Sequence, residues 1–115
     1  MNPDVYFHIR EGKRGAGLAV GPGKVALLEA IAQTGSITAA AKLLGMSYRR
    51  AWLLVEQTNA CLISPAVETA TGGSNGGGTK LTPAGSELIS RYRALERETR
   101  AAVAARLNPI MRPLR

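Results

Sequence analysis

Residues 35–56 read GSITAAAKLLGMSYRRAWLLVE. Two glycines, Gly35 and Gly45, are each followed closely by a serine, Ser36 and Ser47. Glycine ends helices because it accepts the left-handed backbone there. Serine starts them, because its hydroxyl accepts an otherwise unmatched backbone N–H. The order therefore predicts a helix stopped by Gly35, a second helix over Ile37–Leu44, and a third from Ser47 to about Asn59. Ile37, Ala40, Ala41 and Leu44 form the apolar stripe of the second helix. The small Ala39–Ala41 run lets a neighbouring helix approach closely. In the third helix Tyr48, Ala51, Trp52 and Val55 share one face, while Arg49, Arg50 and Leu53 point elsewhere. Two short helices joined by a turn containing Gly45 match a helix-turn-helix.

Upstream, Val25, Leu28, Ile31 and Ala32 recur at helical spacing, so the first helix should begin near Gly23 and reach Gln33 or Thr34. Val5–Arg10 alternates like a strand. Gly12–Gly23 is a glycine-rich loop with room for a short strand at Leu18–Val20. Downstream, Ser64-Pro65 ends the helical pattern. Ala66–Thr71 reads as a strand, with Val67 and Thr69 on one face and Glu68 and Ala70 on the other. Thr79–Thr82 pairs back on it across a glycine-rich tip, which makes a β-hairpin. A hairpin directly after a helix-turn-helix is a wing.

Thr82-Pro83 opens the last helix, with threonine as cap and proline at the first helical position. It is expected to run to Leu107, roughly 35 Å at 1.5 Å per residue. That exceeds what a small domain needs to cover itself. Leu88, Tyr92, Leu95, Thr99 and Ala102 fall at alternating four- and three-residue steps, a seam suited to a partner helix and so to a homodimer. The alternative is a helix packed only on its own domain. The fold class is α+β, mainly α: a winged helix-turn-helix over residues 1–82, a long dimerisation helix over 83–107, and a frayed tail over 108–115.

The 115 residues are one domain's worth. Fifteen Lys and Arg against eight Asp and Glu give a net charge of +7. Such a balance points to nucleic acid first, and to an anionic membrane surface second. No acidic residue lies between Ala30 and Val55, whereas Lys42, Arg49 and Arg50 do. One cysteine, Cys61, forms no internal disulfide and suits a reducing cytosol. No apolar run approaches the ~18–20 residues of a membrane span. With no signal peptide at the N-terminus, a cytoplasmic location is expected.

The tip, GGSNGGGTK at residues 72–80, looks at first like a phosphate cradle. Gly73 and Gly78 have the spacing of a nucleotide loop, but Thr79-Lys80 reverses its order and Pro83 opens the next helix too late. A wing tip is the better account, with Asn75 and Lys80 reaching DNA phosphates. Tyr48, Arg49, Arg50 and Leu53 lie where a recognition helix meets base edges, and arginine offers guanine two hydrogen bonds. Ser36, Thr38 and Ser47, near helix N-termini, suit phosphates. His8 and Cys61 are the only residues of their types and lie far apart in sequence, so neither a catalytic residue set nor a metal site is expected.

These motifs carry a resemblance. Residues 35–56 resemble the LysR-type helix-turn-helix. Gly-Pro-Gly-Lys at 21–24, Met-Ser-Tyr-Arg-Arg-Ala-Trp at 46–52, Val-Glu-Thr-Ala-Thr-Gly-Gly at 67–73, Gly-Gly-Gly at 76–78, Leu-Thr-Pro-Ala-Gly at 81–85 and Arg-Tyr at 91–92 are similar, together and in order, to the N-terminal DNA-binding domain of ModE-type molybdate-responsive transcription regulators. The resemblance covers roughly residues 5–107. It implies a winged-helix dimer on a palindromic operator of double-stranded DNA, and a link to molybdenum genes. In that family oxyanion is sensed by a separate C-terminal region, so no ligand for molybdate, tungstate or a metal effector is carried onto a residue here. Two other readings remain: a small oxyanion carrier using the glycine-rich loop, and a non-specific architectural DNA binder.

Overall fold

The fold is that of a computed structural model, which describes residues 5–10, 18–69 and 78–111. In chain order it has β1 (Ile9–Arg10), β2 (Leu18–Val20), α1 (Pro22–Thr34), α2 (Ile37–Leu44), α3 (Tyr48–Ala60), β3 (Val67–Thr69), β4 (Thr79–Leu81) and α4 (Pro83–Met111). β1 and β2 pair antiparallel, with Ile9 opposite Val20. β3 and β4 form the wing, also antiparallel, with Val67 opposite Leu81 and Glu68 opposite Lys80.

The two glycine–serine breaks do what their chemistry dictates. Gly35 and Gly45 sit at φ 70° and φ 68°, where a β-carbon costs energy. The Gly35 N–H donates to the Ile31 carbonyl at 2.7 Å. Ser36 Oγ accepts from the Ala39 N–H and Ser47 Oγ from the Arg50 N–H, each at 3.1 Å. The Gly35 carbonyl in turn accepts from the Thr79 N–H at 3.1 Å, which ties the wing to the α1–α2 corner.

One core cluster joins Leu27, Leu28 and Ile31 of α1 to Ile37, Ala40 and Ala41 of α2, Ala51 and Val55 of α3, and Ala66 and Val67 at the wing. A second holds Val20, Val25 and Tyr92 with Phe7 packed on it, and Leu88 and Ile89 touch both. The expected stripes need three corrections. Ala32 is exposed on α1, whereas Leu27 and Ala30 are buried. Leu44 is exposed. Tyr48 and Trp52 are 54% and 44% exposed, because the inward stripe of α3 is Ala51, Val55 and Thr58. At 3.6 residues per turn Trp52 stands about 100° round from Ala51.

α4 extends past the expected stop at Leu107 to Met111, with Pro109 inside it. Pro109 removes one ladder bond, but in the last turn, where little helix remains to be disrupted. Of the expected tail, residues 108–111 are thus helical, and 112–115 lie outside the described residues. The proposed seam divides. Leu88 packs on the domain's own core. Tyr92 is buried, its ring stacked on Phe7 at 4.8 Å and its hydroxyl donating to the Phe7 carbonyl at 3.0 Å; burial raises the pKa of its phenol. From Leu95 outward the helix is more open: Leu95 and Ala102 are exposed and Thr99 is half-buried.

Arg93 sets the angle at which α4 leaves the domain. Its guanidinium grips both carboxylate oxygens of Glu29 on α1 and donates to Glu96 on its own helix at 2.9 Å. The Glu29 hydrogen bonds, opposed by partial burial and aided by Glu96, hold it still more firmly protonated than an ordinary arginine. Two-point pairing of this kind fixes orientation as well as distance.

α4 begins against the wing through Gly85. A β-carbon there would lie 2.6 Å from Leu81 Cδ1 and closer still to the Ala66 carbonyl oxygen. That oxygen belongs to the backbone and already accepts from the Thr82 N–H at 2.9 Å. Gly85→Ala should therefore cost about 1–3 kcal/mol despite better helix propensity. Urea denaturation checks it, and a variant as stable as the parent would show that the α4–wing contact yields easily.

Candidate nucleic-acid interface

The helix-turn-helix presents α3 outward. With Ala51, Val55 and Thr58 turned in, Arg49 and Leu53 point directly away from the core, Trp52 lies on one flank and Arg50 on the other. Tyr48, Arg49, Arg50 and Leu53 are all exposed, as are Thr38 and Ser47, while Ser36 is half-buried. Ser36 and Ser47 each use an oxygen lone pair for a cap; the hydroxyl proton stays available to an outside acceptor. Neither Arg49 nor Arg50 forms an ion pair with any described residue. The basic pair is therefore open to an outside partner, in contrast to Arg93.

Lys80 is exposed on β4, directly across from Glu68. Asn75 lies outside the described residues. Two surface groups escape the sequence reading as contacts. Lys42 is exposed on α2, and only its place in the acid-free window signals it. Trp52 is concealed by its size, which reads as core; the signal for the true inward stripe is Thr58, whose hydroxyl donates to the Leu54 carbonyl at 2.7 Å. A threonine that satisfies itself on its own helix can be buried.

A third group sits beside the recognition helix. Lys24, in the first turn of α1, is only 5% exposed. Burial pushes its ammonium below the ordinary lysine pKa, with Cys61 acting in the opposite sense. Lys24 and Arg50 line one cleft of about 310 Å³ together with His8 and Gln57.

No group of three His, Cys, Asp or Glu side chains able to hold a metal ion occurs among the described residues. Among them, too, no helix is long and apolar enough to cross a membrane.

Residues 23–86 match the family model described as bacterial regulatory helix-turn-helix protein, lysR family. That span runs from the first turn of α1 through the recognition helix and wing to the start of α4. The chain belongs to this family. Among curated proteins it is 51% identical over 80 residues to the molybdenum-pterin-binding protein MopB of Rhodobacter capsulatus, covering 70% of this chain and 30% of that one. It is 53% identical over 72 residues to the molybdenum transport protein ModE of Herbaspirillum seropedicae, covering 63% and 27%. It is 44% identical over 71 residues to the DNA-binding transcriptional dual regulator ModE of Escherichia coli, covering 62% and 27%. The chain thus spans about a third of the length of the curated relatives it matches, and what it shares with them is the LysR-type, ModE-like DNA-binding region.

Proposed function

We propose that this LysR-family chain is a sequence-specific, cytoplasmic regulator of genes for handling molybdenum or a related metal oxyanion, and that it binds a palindromic operator as a homodimer. The observation that carries the reading is the open Arg49–Arg50 pair on the outward side of α3, flanked by capped helix starts and a wing bearing Lys80. The names of the three relatives support the molybdenum link. Support for the dimer comes from α4, which continues about 24 Å beyond Leu95 at 1.5 Å per residue with Leu95 and Ala102 exposed. Two recognition helices in such a dimer would sit about one DNA turn, ~34 Å, apart.

Selection of bound duplexes from a random pool tests the reading. The expected product is a two-fold symmetric site with half-sites about ten base pairs apart. A competition ratio near one between the selected site and random DNA would instead indicate an architectural binder. Repeating the competition with molybdate or tungstate tests for an effector response.

The wing makes its own prediction. Lys80→Ala should weaken binding to every sequence by a similar factor and flatten the salt dependence by about one phosphate's worth. The check is a filter-binding series over a range of salt. A loss confined to one base position would contradict a phosphate role for Lys80.

A further inference from the structure

The cleft beside α3 is built differently from the recognition surface. Its charged side chains come from separate parts of the chain: Lys24 from α1 and Arg50 from α3, with His8 from the segment before β1 and the Gln57 amide alongside. Among the described residues, none of its lining side chains is acidic. Gly23 also lines it, and apart from its chain neighbours and its own helix backbone no described atom lies within 4 Å of where a Gly23 β-carbon would be. Gly21 caps α1 without a side chain, so the Gly23 N–H has no helical acceptor and no cap. The cleft volume is about ten times a water's share of the liquid, room for an anion with part of its hydration shell.

We infer that this cleft is a binding site for a phosphate-type oxyanion, held by Arg50, Lys24 and the Gly23 backbone N–H. Location favours a DNA backbone phosphate as its source, and to that extent the inference rests on the proposed DNA-binding function. A major groove about 12 Å wide closes around a helix of 10–12 Å diameter, so phosphates stand on both flanks of an inserted helix. Arg50 is on the flank that leads into the cleft. The DNA contact surface would then extend beyond the helix-turn-helix and wing onto the first turn of α1. A free inorganic oxyanion has the same chemistry, and in that case it would compete with DNA for Arg50.

Gly23→Glu is the informative variant. It places a carboxylate at the mouth of the cleft, yet suits a helix first turn that carries no acidic residue. It should melt at or above the parent's temperature. Ser90→Glu, exposed on α4, adds the same charge elsewhere. Two readouts are needed: the slope of log K against log salt for the selected DNA, and the NMR shift of the Gly23 amide with inorganic phosphate at constant ionic strength. A slope shallower by about 0.9 in Gly23→Glu but not in Ser90→Glu supports a DNA phosphate in the cleft. A saturating Gly23 amide shift in the parent supports a free oxyanion. Slopes that match between the two variants, together with an amide that phosphate does not move, overturn the site. If the parent binds no DNA, the proposed function fails, and the phosphate titration alone decides the cleft.

Discussion

Asn59→Leu is expected to lower the unfolding free energy by about 2–4 kcal/mol, although leucine is close in size and more apolar. Asn59, near the end of α3, clamps the wing. Its Oδ1 accepts from the Ala66 N–H at 2.8 Å and the Val67 N–H at 3.2 Å, and its Nδ2 donates to the Val67 carbonyl at 3.1 Å. Ala66 and Val67 are both buried, so water cannot replace the lost partner. A stranded buried N–H costs about 1–3 kcal/mol, more than the bond is worth when made. Thermal melting should drop by roughly 10–20 °C for a domain of this size. Asn59→Asp separates the contributions. It keeps the acceptor for the two N–H groups but turns a carboxylate oxygen toward the Val67 carbonyl, so it should fall between parent and Asn59→Leu. If the leucine variant melts with the parent, the clamp is not what joins the wing to α3.

The contrast between Asn59 and the glycine–serine pairs explains which parts of this fold are legible from the chain alone. Ser36, Gly35, Ser47 and Gly45 act on backbone groups within three or four residues, so their roles follow from order, and the bounds of α2 read from the sequence agree with the structure. Asn59 acts seven and eight residues away across a turn, and nothing local marks it. Arg93 bonds Glu29 across 64 positions; in the sequence it is one of seven basic residues from Arg91 onward. Trp52 misleads for another reason. Hydrophobicity alone cannot phase a helix when Tyr48, Ala51, Trp52, Leu53, Leu54 and Val55 are all apolar enough to be core. Packing against the small α2 face chooses Ala51 and Val55 and leaves the indole outside. The long seam is ambiguous by the same logic. A four–three spacing shows that one helix face is apolar, but not whether its partner is another chain or, as for Leu88 and Tyr92, the chain's own core.

Arg49→Ala combined with Arg50→Ala should cause the largest functional loss. At about 1–3 kcal/mol for each lost base contact, affinity for a selected operator falls by roughly 30-fold to 10⁴-fold if both arginines reach guanines. Neither side chain ion-pairs with a described residue, so their removal should leave the melting temperature within a few degrees of the parent. The single variants should differ in kind. Arg49 points straight out from α3, and its loss should erase discrimination at one base pair while leaving binding to random DNA nearly intact. Arg50 lies on the flank and lines the cleft with Lys24, so its loss should also weaken random-sequence binding and reduce the salt slope. Arg49→Lys should not rescue, because an ammonium cannot reproduce the two-point bond of a guanidinium. The measurement is operator competition against random DNA for each variant, over several salt concentrations. A double variant that keeps the parent's operator affinity would remove α3 from the recognition role. Equal and uniform losses in the two single variants would make both arginines phosphate contacts and move base reading to Tyr48, Trp52 and Leu53.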